Sequence, residues 1–340
     1  MAPNERCSGV VVIAEIGVNH NGSLELAKKL IRCAADSGAD YAKFQTFRAK
    51  DLATSLAPVA NYQKASFRGN RQVDLLAALE LSEDDFGELV SYCGERGIGF
   101  LTTAHDLESA RFVLTLPSDF IKIPSGDVTN FPFLRLVGEQ NRPVLLSTGA
   151  SRGDEVLAAI EVLESQGLTR EEITVLQCTT QYPAPIEQAN LRAMVAMGER
   201  WGVQIGYSDH TLGQASAVAA VALGATVLEK HITLDRTMVG PDHAASLEPD
   251  EFARMVAAVS SVSQSLGGEE KTVTSAEMQN RDLIRKSIVA TRPISAGELL
   301  TEQNIGVLRP GTGLSPMRWI DVIGRTAGRS YEPHDMIELP

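Results

Sequence analysis

Between residue 10 and about residue 265 the chain repeats one pattern eight times: a short β-branched apolar run, a polar end, and an amphipathic stretch with helical periodicity. The helical stretches include residues 24–37, 83–96, 154–166, 214–223 and 251–266. The apolar runs begin at Val10, Ala39, Ile98, Phe120, Pro143, Ile173, Val203 and Thr226. Strands alternating with helices predict a parallel sheet, and eight such units close into a (β/α)8 barrel, the TIM-barrel fold.

The same pattern predicts how the chain is divided. We expect a barrel catalytic domain over residues 1–268, a linker over 269–284 where the periodicity is lost, and a small C-terminal domain over 285–340. That last part consists of short strands and turns. A long interruption over residues 48–81, which contains the segment NYQK, predicts an extended loop after the second strand.

Composition narrows the class of protein. Apolar residues make up 44% and charged residues 22% of the chain, an ordinary globular balance without a membrane-spanning run or a signal peptide. The four cysteines form no CxxC pair, so we expect neither a disulfide framework nor a zinc knuckle, but a cytoplasmic protein. A net charge of -12 opposes binding to nucleic acid or anionic membranes. Any phosphate site must therefore be a local cluster of lysines and hydroxyls.

Polar residues collect at the ends of the apolar runs, where barrel enzymes carry their active sites. Because side chains alternate along a strand, Lys43 should share the inner face with Gln45, and Glu229 with His231. Lys230 should then face the helices, which argues against Lys230 as a Schiff-base nucleophile and leaves Lys43 or Lys122 for that role. The strand ends offer Glu15, Lys43, Gln45, Thr103, His105, Lys122, Ser125, Asp127, Ser147, Thr180, Tyr182, Ser208, His210, Glu229 and His231.

Two histidines suggest a metal site. His210 and His231 end the seventh and eighth strands, which lie roughly 5 Å apart in a sheet. Two imidazoles at that spacing can bind one divalent ion and leave positions open for water and substrate. For His20, His105 and His334 we expect ordinary hydrogen-bonded structural roles.

Two lysines suggest an anion site. Lys43 and Lys122, with the hydroxyls of Thr103, Ser125, Ser147 and Ser208, can form a cradle for a phosphate and a carboxylate. The alternative is that each lysine pairs with Glu15 or Asp127 in a structural network. The motifs GxxxxGK[ST], GxGxxG and GxSxG are absent, so the corresponding nucleotide-binding and serine-hydrolase classes are unsupported.

Long motifs connect these residues to one family. The chain contains AEIGVNHNGS, KFQTF, NYQK, IKIPSGD, LSTGAS, CTTQYPAP, GYSDHTLG, LEKHITLDR and GPDHAASLEP, followed by RKSIVA, ISAGE and VLRPGTG in the tail. In this order they resemble the sialic acid synthase family with its C-terminal antifreeze-like (SAF) domain. The resemblance covers nearly the whole chain.

The resemblance implies an N-acetylneuraminate synthase that condenses phosphoenolpyruvate with N-acetylmannosamine and releases phosphate by C–O cleavage. It implies that Glu15 and Glu229 are catalytic and that His210 and His231 hold a divalent metal, Mn2+ first, with Mg2+ or Co2+ as alternatives. It implies a domain-swapped homodimer in which Arg309 reaches the partner's site. The phosphoenolpyruvate ligands would be Lys43, Thr103, Lys122, Ser125, Ser147, Thr180 and Ser208, and the sugar ligands Gln45, Asp127, Tyr182, Asp242 and Arg309.

Two positions depart from the family pattern, and three alternatives stay open. Asp127 stands where glutamate is commoner, and Thr180 where some members have asparagine, which puts the sugar in doubt more than the chemistry. A sister synthase making legionaminic or pseudaminic acid from a 6-deoxy diacetamido hexose would carry the same motifs. A Schiff-base aldolase and a binding-only protein are the two remaining alternatives.

Overall fold

The computed structural model describes residues 9–52, 54 and 71–339. The chain divides into two compact units, Met1–Gly267 and Gly268–Pro340. The NYQK segment and most of the predicted long loop lie outside the described residues. The ends of that loop carry two short helices, α2 (Ala49–Leu52) and α3 (Gln72–Ala77).

The first unit is a closed barrel of eight parallel strands in sequence order. This confirms the predicted TIM-barrel fold. Every apolar run of the sequence contains one strand, because a strand covered on both faces is apolar throughout. The strands are β1 (Val11–Gly17), β2 (Tyr41–Thr46), β3 (Gly99–Ala104), β4 (Ile121–Ile123), β5 (Val144–Ser147), β6 (Ile173–Cys178), β7 (Gln204–Asp209) and β8 (Val227–His231).

Helices follow the strands and cover the outside of the barrel. The predicted stretches correspond to α1 (Leu24–Asp36), α4 (Glu83–Arg96), α7 (Gly153–Ser165), α9 (Ala215–Ala222) and α10 (Pro249–Leu266). Three further helices are α5 (Leu107–Val113), α6 (Phe131–Gly138) and α8 (Leu191–Trp201). Most of the core lies between strands and helices, in two clusters of buried apolar side chains.

A smaller apolar layer fills the inside of the barrel. It is formed by residues such as Ile13, Leu101, Leu145 and Leu176, which belong to four different strands. Polar side chains follow these residues further along the strands. The inner face therefore changes from apolar to polar toward the carboxyl ends, and this change positions the site.

The outer face of the barrel carries one fully buried ion pair. Lys230 Nζ lies 2.8 Å from Asp209 Oδ2, with both side chains at 0% exposure. Lys230 also donates to the Thr211 carbonyl, and Ser216 of α9 donates to Asp209 at 2.9 Å. Lys230 thus points toward the helix layer, as the strand alternation predicts.

The second unit is small and irregular. Strands β9 (Ser287–Ala290) and β10 (Ile305–Leu308) form an antiparallel pair over a compact core that includes Ile288, Leu300 and Val322. The predicted linker contains helix α11 (Ser275–Ile284), which is capped by Thr274 and Glu277 in a capping box. None of its residues is buried, so it lacks the apolar stripe that would have predicted a helix. The short helix α12 (Trp319–Val322) follows β10.

Candidate active site

A cavity of about 190 Å³ lies at the carboxyl ends of the barrel strands. Residues from all eight strands or the turns that follow them reach it. Closure of the barrel thereby brings together side chains that are up to about two hundred positions apart in the chain. The predicted residues that line it are Glu15, Lys43, Gln45, Thr103, Lys122, Ser125, Ser147, Thr180, Tyr182, Ser208, His210, Glu229 and His231.

Two lysines and two carboxylates of the cavity are linked by ion pairs. Lys43 Nζ lies 2.6 Å from Glu15 Oε2 and 3.6 Å from Glu229 Oε2, while Lys122 Nζ lies 3.9 Å from Glu229 Oε2. Gln45 Nε2 donates to Glu15 Oε1 at 3.0 Å. Lys43 thus pairs with Glu15, as the structural alternative expected, and both lysines line the cavity, while their role as an anion cradle stays a prediction.

Their environments move the pKa values of the two carboxylates in opposite directions. Burial raises the pKa of Glu15 to about 7, although the Lys43 ammonium opposes the shift. Burial also disfavours ionised Glu229, yet Lys122 and Lys43 together lower its pKa to about 2. A pair of carboxyl groups with separated pKa values can divide acid–base and electrostatic work between them.

The lysine side chains are held by hydroxyl groups. Lys43 Nζ donates to Thr103 Oγ1 at 2.9 Å, and Lys122 Nζ donates to Ser147 Oγ at 2.7 Å. Burial lowers the pKa of Lys122, whereas Glu15 and Glu229 keep the pKa of Lys43 above its usual value despite burial. The two ammonium groups therefore line one cavity, but nearby carboxylates stabilise the charge of Lys43 more than that of Lys122.

Gly149 makes a close backbone approach beside these residues. Its N–H donates to Ser125 Oγ at 2.9 Å, and a Cβ at this position would lie 2.9 Å from that oxygen and would collide with Thr180 Oγ1. Only glycine allows this packing. The LSTGAS motif thus contributes a backbone position that the sequence analysis did not single out.

His210 and His231 lie together, with ring centroids 5.5 Å apart. The Tyr182 ring lies 4.1 Å from the His210 ring and closes one side of the pair. His210 Nδ1 lies 2.7 Å from the Thr179 carbonyl oxygen and donates to it, which leaves Nε2 free as a ligand atom. His231 Nδ1 is buried without a hydrogen-bond partner.

The two histidines fit one divalent ion with open coordination positions. Burial lowers the pKa of His231 well below its usual value and so keeps the ring neutral. Burial also opposes protonation of His210, but Cys178 and the Thr179 carbonyl raise its pKa to about 9, so a proton competes with a metal there. Among residues 9–52, 54 and 71–339, no group of three or more His, Cys, Asp or Glu could hold a metal. The histidines thus form a pair rather than a closed site.

Unsatisfied polar atoms concentrate at the cavity. Six buried side-chain atoms of the described residues lack a hydrogen-bond partner, and four of them belong to residues that line it: Glu15 Oε2, Glu229 Oε2, His105 Nε2 and His231 Nδ1. Glu15 Oε2 is close to Lys43 but outside hydrogen-bonding geometry. Buried polar groups normally find partners, so this concentration indicates a site that a polar ligand completes.

Three predicted sugar ligands do not line the cavity. Asp127 accepts a hydrogen bond from Asn130 at 2.7 Å in the turn after β4. Asp242 is buried, which raises its pKa to about 6, and it lies close enough to His210 to be affected by its charge. Arg309 follows β10 in the second unit. Their roles in sugar binding stay predictions.

One prediction about a single histidine is wrong. His105 was expected to be a hydrogen-bonded structural residue, but it lines the cavity and its buried Nε2 has no partner. The sequence contained a signal for it, since His105 directly follows β3 and lies two positions after Thr103.

The barrel carries a polar cavity with a lysine–carboxylate cluster and a histidine pair at the carboxyl ends of its strands, which is where barrel enzymes have their active sites. The NeuB family model matches residues 30–271, and the SAF domain model matches residues 285–339. The chain belongs to the NeuB family and carries a C-terminal SAF domain. This confirms the family that the sequence motifs indicated.

Relatives define the activity class. The chain is 42% identical to the N,N'-diacetyllegionaminic acid synthase of Campylobacter jejuni, over 96% of this chain and 98% of that protein. It is 39% identical to the N-acetylneuraminate-9-phosphate synthase of Mus musculus, over 85% of this chain and 80% of that protein. The N-acetylneuraminic acid synthetase structure from Leptospira borgpetersenii matches with a TM-score of 0.70 at 29% identity, over 80% of this chain and 90% of that chain. The chain is an enzyme of the phosphoenolpyruvate-dependent synthase class, as predicted.

No helix within residues 9–52, 54 and 71–339 combines the length and the apolar character needed to cross a membrane.

Proposed function

We propose that this enzyme is a nonulosonic acid synthase that condenses phosphoenolpyruvate with a 6-deoxy diacetamido hexose of the legionaminic acid type. The observation that carries the chemistry is the convergence of Lys43, Lys122, Glu15, Glu229 and the histidine pair on one cavity. The cavity offers cations for an acid substrate, carboxylates for charge and proton transfer, and imidazole nitrogens that can bind a metal once His210 is deprotonated.

The choice of sugar rests on the relatives. N-acetylmannosamine was the first expectation, with a sister synthase as the alternative. The 42% identity to a diacetyllegionaminic acid synthase over nearly the full length of both proteins favours the alternative. N-acetylmannosamine stays the second candidate, because the 29% identical structure from Leptospira borgpetersenii is an N-acetylneuraminic acid synthetase.

Phosphoenolpyruvate would lie between Lys43 and Lys122, its phosphate and carboxylate replacing part of the contacts that the lysines now make with Thr103 and Ser147. Charge-assisted hydrogen bonds of this kind are about twice as strong as neutral ones. Ser125, Thr180 and Ser208 would supply further hydroxyl donors, since all three line the same cavity.

The carboxylates would act at C2 of phosphoenolpyruvate. Bond formation at C3 generates positive charge at C2, and Glu229 stays ionised to stabilise it. Glu15 has a pKa of about 7 and can accept a proton from the water that attacks C2. The resulting tetrahedral intermediate loses phosphate by C–O cleavage.

His210 and His231 would hold a divalent metal, with Mn2+ as the first choice and Mg2+ or Co2+ as alternatives. When bound, the metal supplies Lewis-acid polarisation of the sugar aldehyde. Tyr182, packed on both rings, would position the sugar beside it. Full turnover in protein shown by elemental analysis to be free of metal would contradict this assignment.

The sugar-side contacts complete the proposal. Gln45 and Tyr182 line the cavity, and the family resemblance adds Asp127 and Asp242 as proposed sugar ligands. By the family resemblance, Arg309 would contact an N-acyl group in the partner's site of a domain-swapped homodimer.

Mixed dimers test that assembly. An Arg309→Ala chain and a Glu15→Ala chain should each be impaired alone, whereas a mixed dimer regains one intact site. Random exchange predicts up to about a quarter of wild-type activity, because half of the dimers are mixed. Mixed dimers, verified with differently tagged chains, that gain no activity would show that Arg309 acts in its own chain or not at all.

The decisive experiment is a panel of acceptor sugars assayed for phosphate release from phosphoenolpyruvate. We expect the highest kcat/KM with a 2,4-diacetamido-6-deoxy hexose and a lower value with N-acetylmannosamine. The reverse order would support the second candidate. No phosphate release with any amino sugar would refute the proposed function.

A Schiff-base aldolase is the alternative chemistry. Lys230 is unsuitable, because it is fully buried and paired with Asp209 on the outer face. Lys43 and Lys122 are tested by adding borohydride during turnover. An imine on either lysine would be trapped as a stable adduct, and the proposed mechanism predicts that none forms.

A further inference from the structure

His105 occupies a specific place in the cavity that no role above explains. It directly follows β3, which lies between the strand that carries Lys43 and the strand that carries Lys122. Thr103, two residues earlier, pairs with Lys122 in the β3–β4 register and accepts a hydrogen bond from Lys43. His105 therefore stands at the strand end between the two lysines.

The backbone and one ring contact hold the imidazole in this place. The His105 N–H donates to the Thr46 carbonyl at 3.1 Å. The Phe47 ring packs edge-on to the imidazole, with centroids 6.4 Å apart. Nε2 is buried and has no hydrogen-bond partner, and His105 is among the residues that line the cavity. A buried, unpaired nitrogen costs free energy unless a ligand pairs with it.

We propose, on the basis of the proposed function, that His105 Nε2 donates a hydrogen bond to a phosphoryl or carboxylate oxygen of the anionic substrate held between Lys43 and Lys122. His105 would thus be a third ligand of phosphoenolpyruvate, contributed by the strand between the two lysine strands.

The charge environment favours a neutral donor here. Burial, together with the Lys43 and Lys122 ammonium groups, lowers the pKa of His105 to about 3, while the neighbouring Asp106 opposes the shift. A neutral imidazole carries one N–H and adds no third positive charge. The substrate is an anion that bridges two cations, and a neutral N–H between them adds a bond without increasing their mutual repulsion.

Three substitutions distinguish the contribution of Nε2 to binding from that of the aromatic ring. His105→Phe keeps a ring against Phe47 and removes both nitrogens. His105→Gln places an amide N–H near the position of Nε2, whereas His105→Asn reaches only to the level of Nδ1. The measurements are calorimetric binding of phosphoenolpyruvate without sugar, and steady-state KM values for both substrates.

We expect His105→Phe to weaken phosphoenolpyruvate binding about tenfold, with the sugar KM nearly unchanged. His105→Gln should stay within about threefold of wild type, and His105→Asn should resemble His105→Phe. Binding of inorganic phosphate and of pyruvate to each variant identifies which end of the substrate His105 contacts. A loss for phosphate assigns the phosphoryl group, and a loss for pyruvate assigns the carboxylate.

Several outcomes would overturn the assignment. Unchanged phosphoenolpyruvate binding in His105→Phe, equal behaviour of the Gln and Asn variants, or a loss confined to the sugar would each do so. If His105→Phe unfolds, the Gln and Asn pair still decides the question. Wild-type protein that binds no phosphoenolpyruvate would refute the proposed function itself, whereas normal wild-type binding with unaffected variants refutes only the role of His105.

Discussion

Two buried lysine–carboxylate pairs lie on opposite faces of neighbouring barrel strands. Lys43 and Glu15 face the cavity, with side-chain exposures of 3% and 2%, and Lys230 and Asp209 face the helices with 0% each. Asp209 is fully satisfied, since Thr211, Ser216 and Lys230 all donate to its carboxylate. Glu15 is held by fewer groups: Gln45 donates to Oε1, and the Lys43 ammonium lies 2.6 Å from Oε2.

The comparison shows that burial alone does not decide whether a lysine–carboxylate pair affects turnover or stability. Both pairs are removed from water, but the outer pair is surrounded by its own hydrogen-bond network, while the inner pair lines the cavity. A fully satisfied buried network fixes one packing arrangement, whereas charged groups at a cavity wall can exchange contacts with a ligand. We therefore expect changes to the inner pair to affect turnover and changes to the outer pair to affect stability.

The largest effect should come from Glu15→Gln. The amide keeps the size of the side chain and its contact with Gln45 but cannot accept a proton, so kcat should fall by about 10²- to 10⁴-fold. The thermal unfolding midpoint should fall less than in Lys230→Met, because Lys43 keeps Glu229 at 3.6 Å as a second carboxylate. Near-normal turnover in this variant would mean that Glu15 is not the base.

The pH profile provides a second test of the same residue. Because the pKa of Glu15 is raised to about 7 and the base must be ionised, kcat/KM should rise with pH below that value and level off above it. The residual activity of Glu15→Gln should lack this rising part. An identical profile in both proteins would assign the ionisation to another group.

The next effect should come from Lys230→Met, on stability. It leaves the Asp209 charge buried without its cation, which typically costs about 3–5 kcal/mol, measurable by denaturant unfolding. Adding Asp209→Asn should recover part of the loss. Lys43→Met is the matched control and should cost less, because Glu15 can take up a proton when its partner is removed. Equal losses in the free energy of unfolding at both lysines would show that the two pairs do not differ in this way.

Substrate affinity should respond at the inner lysines. Lys43→Ala and Lys122→Ala each remove a charged contact worth roughly 1.5–3 kcal/mol, so the phosphoenolpyruvate KM should rise about tenfold or more. The sugar KM should change less. If both variants keep wild-type kinetics for phosphoenolpyruvate, the anion binds elsewhere.

The smallest effect should come from Gly149→Ala. The added methyl group collides with Thr180 Oγ1, and overpacking of this kind costs about 1 kcal/mol or more, so the free energy of unfolding should fall by that amount. Gly149→Ala combined with Thr180→Ala removes the colliding oxygen and should recover part of the lost stability. A single variant that unfolds like the wild type would show that the neighbours move aside without consequence.

The sequence by itself determined the barrel, the small C-terminal domain and most of the site. Eight apolar runs with polar ends predicted eight strands and the residues at their carboxyl ends, and alternation predicted that Lys43 faces inward and Lys230 outward. These features are local, because the side-chain period of a strand is set by its own backbone. The family motifs added the activity class.

The tertiary structure decided what depends on distances between strands. It showed that Asp127 accepts a hydrogen bond from Asn130 and that His105 lines the cavity. It also showed that a Cβ at Gly149 would collide with Thr180. Helix α11 was missed because it buries none of its residues. A helix without a buried face needs no apolar stripe, and that stripe is the sequence pattern used to predict the other helices. The opposite pKa shifts of Glu15 and Glu229 depend on how far each lies from two lysines on other strands. Closure of the barrel sets those distances, and no pattern within a single strand encodes them.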